Sequence, residues 1–184
     1  MIDSNIAIIN DDKSISFSEL SKTVNRTAQY YFDNGVRSNS LIAILANNSL
    51  EYVITVFSLW KVGASPVPIN TRLNEVEINH IVKSSGCSIL IVDNNYSEAI
   101  SGFKTIEMQI KYEGTEYTDK HEISGDDNAV IIHTSGSSGF PKGVMITNNN
   151  LYQSYLSTTD AFNFSNKDVF LASLPFYHIG GFAI

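Results

Sequence analysis

The segment His133-Thr134-Ser135-Gly136-Ser137-Ser138-Gly139-Phe140-Pro141-Lys142-Gly143 packs four hydroxyl side chains, three glycines and one lysine into a single turn. These residue types together suit a polyphosphate. Glycines let the backbone curl until successive amides face one concavity, hydroxyls add donors, and lysine supplies a compact positive charge. A Walker-type phosphate loop needs glycine before the lysine and Ser or Thr after it, so that the loop opens a helix. Here Pro141 precedes Lys142 and Gly143 follows it. Proline holds its predecessor extended, and Val144-Met145-Ile146 reads as a strand, so this loop should join two strands instead. An ordinary hairpin would account for the glycines but not for the hydroxyls, the Pro-Lys-Gly and the flanking apolar runs together.

The apolar run Ala129 to Ile132 leads into that turn and has the length of a buried strand. Upstream, three cycles of helix and strand lead toward it. Ser16 with Glu19 forms a capping box for a helix over 17–34, closed by Gly35, and Leu41 to Leu45 follows as a strand buried on both faces. The second cycle is a helix over 50–62, a stop at Gly63, and an extended Ser65 to Ile69. In the third, Asn74 and Glu77 cap a helix that runs to Ser85, Gly86 stops it, and Ser88 to Val92 is a strand. Alternation of this kind argues an α/β fold of alternating helices and mostly parallel buried strands. The stretch 93–127 is polar and irregular, with one weak strand. After the turn the pattern predicts a helix opening near Thr147 or Asn148 and a strand from Val169 to Leu174, ended by Pro175.

Composition limits the remaining classes. The 184 residues are 43% hydrophobic and 17% charged, which suits a folded domain. A net charge of −7 is the wrong sign for a nucleic-acid partner. No apolar run approaches the roughly 20 residues of a membrane span, and 1–10 lacks the pattern of a signal peptide, so a cytoplasmic location is expected. Cys87 is the single cysteine, read as a small buried residue, and it fits a reducing compartment. His80 and His121 show no partner spacing, His133 reads as structural, and Asp126-Asp127 as a charged strand entry with no metal assigned.

Thr134 to Gly143 resembles the signature loop of the acyl-adenylate-forming (AMP-binding) enzymes, usually Thr-Ser-Gly-Thr-Thr-Gly-x-Pro-Lys-Gly. Ile15 to Leu20 is similar to the first motif of that family, and Leu59 to Asn70 to its second. Asn70-Thr71-Arg72-Leu73 resembles the form found in CoA ligases, and Leu174 to Gly181 the Pro-x-x-His-x-x-Gly segment of acyl- and aryl-CoA ligases, including those acting on o-succinylbenzoate. The resemblance covers almost the whole chain.

What it implies is ATP-dependent adenylation of a small carboxylic acid, followed by thioester formation with CoA, and with Mg2+ as cofactor. Thr134, Ser135, Gly136, Ser137, Ser138, Gly139 and Lys142 would bind the ATP phosphates. His178, Gly180 and Phe182 would line the substrate pocket, although His178 also suits a half-buried structural role and Phe182 core packing. Residues 1–184 would be the N-terminal portion of a large AMP-binding domain. Later motifs of the family, and its C-terminal mobile domain with the lysine that assists adenylation, do not occur in the sequence. Inactivity of the fragment by itself is therefore expected, with no catalytic residue assigned within it. Uncovered sheet edges make association into a homo-oligomer a further expectation. Two other readings stay open: an adenylation domain that loads a carrier protein, and a non-catalytic phosphate-binding module.

Overall fold

The structure is a computed structural model that describes residues 5–11, 13–96, 102–119, 121–134 and 141–183. Its elements, in chain order, are β1 (Ile6–Asn10), β2 (Lys13–Ser16), α1 (Phe17–Asp33), β3 (Leu41–Leu45), α2 (Leu50–Val62), β4 (Ser65–Pro68), α3 (Glu75–Ser84), β5 (Ile89–Val92), β6 (Lys104–Glu107), β7 (Asn128–Thr134), β8 (Lys142–Thr147), α4 (Asn148–Phe162) and the single turn α5 (Ile179–Phe182). The strands β4-β3-β5-β6 form one parallel sheet in that order, and β1-β2 and β7-β8 are antiparallel pairs.

Local sequence sets the helix starts. Ser16 Oγ accepts from the Glu19 amide at 3.2 Å while the Glu19 carboxylate accepts from the Ser16 amide at 2.9 Å. Asn74 and Glu77 repeat this at α3, and Thr147 and Asn150 at α4. Each box satisfies two amides that have no partner inside the helix. As expected, Gly35, Gly63 and Gly86 follow the first three helices, all with positive φ.

Strand alternation then divides the core. Ile42 and Ile44 of β3 and Ile89 and Ile91 of β5 face α1 and α2, where Tyr31, Tyr52 and Leu59 pack against them. Ala43, Leu45, Leu90 and Val92 point the other way, toward Ile78, Ile81 and Val82 of α3. A sheet with helices on both faces explains why β3 and β5 are continuous apolar runs. Cys87 belongs to the second cluster, and burial pushes its thiol up to about 12, which leaves little thiolate for chemistry.

One expectation needs correction, and two elements were not expected. Residues 169–174 form no strand: they pair with no described strand, the Ser173 amide donates to the Leu171 carbonyl at 3.1 Å, and Val169 and Leu171 are 62% and 81% exposed. High β propensity does not hold a strand that has no ladder partner. The hairpin β1-β2 had no sequence forecast, and it turns through Asp11 at φ 53 instead of a glycine. α5 was likewise unforeseen. The weak strand expected within 93–127 is β6, paired in parallel with β5.

Candidate functional site

The loop does join two strands. β7 and β8 run antiparallel, with Thr134 opposite Lys142 and His133 opposite Gly143. Both ends of the Gly/Ser-rich turn are thereby held side by side, and Thr134 and Lys142 are exposed. Ser135, Gly136, Ser137, Ser138 and Gly139 lie outside the described residues. The base of the hairpin is tied to the main sheet: Ser65 Oγ of β4 donates to the Asn128 carbonyl at 2.6 Å, and Trp60 Nε1 of α2 donates to the Ala129 carbonyl at 2.7 Å. Val130, Ile131 and Ile132 are buried. Exposed Thr134 and Lys142 thus end a pair of strands whose base is fixed to the main sheet.

The second cluster follows the outside of α2. Asn48, just after β3, donates from Nδ2 to the Leu174 carbonyl at 2.8 Å and accepts at Oδ1 from the Phe176 amide at 2.9 Å. The Tyr52 and Phe176 rings meet at 5.3 Å, and those of Trp60 and Phe182 at 6.0 Å, edge-on. Tyr52 and Trp60 are eight positions apart on α2, about 12 Å along its axis. The segment 174–182 therefore descends the length of α2. His178 lies at its middle as the N-terminal cap residue of α5, exposed, with its ring edge-on to Tyr177 at 4.7 Å. Gly180 is exposed, whereas Phe182 packs on the core cluster beneath α2.

Sequence reasoning missed two residues here. Nothing local in the sequence marks Asn48, because its partners are 126 and 128 positions away. Gly181 is buried, and a Cβ on it would stand 2.3 Å from the Pro175 carbonyl oxygen, so no side chain fits that turn. Its place in the Pro-x-x-His-x-x-Gly run was the available signal. Among the described residues, no hydrogen bond or ring contact links His178 to Thr134 or Lys142.

A parallel sheet with helices on both faces, carrying a Gly/Ser-rich turn with its lysine beside Thr134, agrees with the comparisons with known proteins. The family model "AMP-binding enzyme" matches residues 3–184, and the chain belongs to that family. It is 31% identical over 184 residues to a 2-succinylbenzoate–CoA ligase of a Geobacillus strain, spanning 97% of this chain and 37% of that protein. Bacitracin synthase 2 of Bacillus licheniformis is 27% identical over 170 residues, 92% of this chain and 6% of the synthase. The solved O-succinylbenzoate coenzyme A synthetase of Bacillus subtilis in complex with AMP superposes with a TM-score of 0.88 at 29% identity, covering 97% of this chain and 48% of that one. The same enzyme is also known in complex with ATP and magnesium ion. The chain thus spans less than half the length of these relatives.

Proposed function

We propose that this chain is the ATP-phosphate-binding portion of an AMP-forming carboxylate–CoA ligase. The observation that carries the reading is the β7-β8 hairpin, with Thr134 and Lys142 paired at the two ends of the Gly/Ser-rich turn. In the reaction a carboxylate oxygen attacks the α-phosphorus of ATP and pyrophosphate leaves. A thiol sulfur then attacks the acyl carbon of the mixed anhydride, and AMP leaves. Charge concentrates on the departing pyrophosphate, so positioned donors and a cation lower the barrier. Lys142 supplies the cation, Thr134, Ser135, Ser137 and Ser138 supply hydroxyls, and Gly136 and Gly139 permit close backbone approach. His178, Gly180 and Phe182 are assigned to the carboxylate side, where α5 sits against α2.

Among the described residues no group of three or more His, Cys, Asp or Glu is gathered for a metal, so no protein cage for Mg2+ is assigned. Magnesium suits the phosphates themselves, since it binds substrate oxygens and keeps much of its water. CoA is the proposed thiol, and likeness to 2-succinylbenzoate–CoA ligases makes an aryl acid the first substrate to try. Likeness to bacitracin synthase supports a second reading, in which the acyl group goes to a carrier-protein thiol. No described helix is long and apolar enough to cross a membrane.

The test is carboxylate-dependent exchange of pyrophosphate into ATP by the native full-length gene product, across a panel of fatty and aryl acids including 2-succinylbenzoate. Exchange with one acid is expected, and Lys142→Ala should slow it at least tenfold. CoA-dependent release of AMP then separates CoA from a carrier protein. No exchange with any acid would favour a phosphate-binding module without catalysis. The 184-residue chain by itself should be inactive, and sustained turnover by a homogeneous preparation would refute that.

A further inference from the structure

The phosphate-binding reading leaves one side chain of the hairpin unexplained. His133 immediately precedes Thr134 and is half-buried. Its Nε2 lies 3.1 Å from the hydroxyl of Ser85, the C-terminal cap residue of α3, and its Nδ1 is buried without a hydrogen-bond partner among the described residues. A buried imidazole with one unmatched nitrogen carries a desolvation cost that an apolar side chain would avoid. The opposite strand is shaped around the ring. Gly143 is the register partner of His133, and a Cβ there would meet Ile131 Cγ2 at 3.0 Å and His133 Nε2 at 3.1 Å. β8 has little apolar burial of its own, with Val144 and Met145 exposed. Besides the β7-β8 ladder, the hydrogen bond between Ser85 and His133 ties the hairpin mouth to α3.

We propose that His133 is a positioning residue: bonded to Ser85 and seated over Gly143, it fixes the mouth of the β7-β8 hairpin against α3. Thr134 and Lys142 then meet a polyphosphate already in register. The role of the mouth rests on the phosphate-binding reading, but the bridge does not. Burial first, and then the nearby His80, lower the His133 pKa and so favour the neutral ring, in which Nε2 pairs with the Ser85 hydroxyl as acceptor or donor according to the tautomer.

The test uses the 184-residue chain with amide hydrogen exchange and titration with magnesium tripolyphosphate. Ser85→Ala and His133→Phe should each speed exchange of the β8 amides about fivefold, the effect of one net hydrogen bond. The double variant should add nothing further, and His133→Gln, which restores a polar group near Nε2, should recover most of the protection. Amides of β3 should not change. Tripolyphosphate affinity should fall in parallel, about fivefold in each single variant. Wild-type protection of β8 in both single variants, or additive effects in the double, would overturn the bridge. Coupled exchange in a wild-type chain that binds no tripolyphosphate would instead reject the phosphate reading and leave the bridge standing.

Discussion

The helices α3 and α4 begin in the same way and end in opposite surroundings. Each opens with a capping box, Asn74 with Glu77 and Thr147 with Asn150. In α3, Ile78, Ile81 and Val82 are buried against β3 and β5, whereas α4 has no buried residue along its whole length. The contrast extends to the regions around them. β3 and β5 are enclosed on both faces, while Val144, Met145, Tyr152, Tyr155, Leu156, Phe162, Val169, Phe170 and Leu171 are all exposed. Capping is a local transaction between residues three apart, so it fixes where a helix starts in either setting. Burial depends on a partner surface, and in the relatives more than half of the chain lies beyond the matched part. We infer that the exposed face of β8, α4 and 169–174 is the side that the remainder of such a domain covers.

The largest effect that separates the two regions should come from Ile44→Ala. Ile44 sits in the central strand, fully buried between β4 and β5. Truncation there should cost about 2–5 kcal/mol in urea unfolding, as removal of a core Ile generally does. A loss below about 1 kcal/mol would mean that the sheet relaxes around the cavity and is less rigid than its packing implies.

Gly63→Ala comes next. Gly63 ends α2 at φ 82, and a Cβ would fall 2.7 Å from the His121 ring. Left-handed backbone penalises alanine by about 1–2 kcal/mol, and the ring must also move. Thermal unfolding should register that loss, and an unchanged midpoint would show that the helix ends in another conformation.

Asn48→Ala tests the seam between the regions. It removes both hydrogen bonds that hold 174–176 to the end of β3. About 1–2 kcal/mol of local stability should go with them, seen as faster exchange of the Phe176 amide while β3 and β5 stay protected. Equal loss of protection in the sheet would instead make 174–182 part of the core unit.

Much of this arrangement was legible in the sequence wherever its cause is local. The capping boxes at Ser16 and Asn74, the glycine stops and the buried runs of β3 and β5 are each written within a few residues, and the structure has them all. The strand-to-strand course of the Gly/Ser-rich turn followed from Pro141, Gly143 and the apolar Val144-Met145-Ile146. What escaped depends on distance. Asn48 acquires its meaning from Leu174 and Phe176, and residues 169–174 have the composition of a strand but no neighbour to pair with. Of the candidate site, Thr134 and Lys142 are placed at the hairpin mouth and His178 at the head of α5. Motif spacing does not show that the two clusters share a support: Trp60 of α2 donates to the Ala129 carbonyl at the base of the hairpin and packs edge-on against Phe182.

The smallest effect carries the sharpest test of the comparison. Leu156→Ala in the 184-residue chain should change stability by less than about 0.5 kcal/mol, since Leu156 is 40% exposed and alanine favours a helix at least as well. Made in the full-length protein, the same substitution should cost about 2 kcal/mol or more if α4 is covered there, because a buried Leu loses both its transfer free energy and its packing. Equal small values in both would mean that α4 is an outer helix in the complete domain as well. The apolar face of 144–171 would then need a covering other than the rest of its own chain, and concentration-dependent sedimentation of the full-length protein would reveal a second copy in that place.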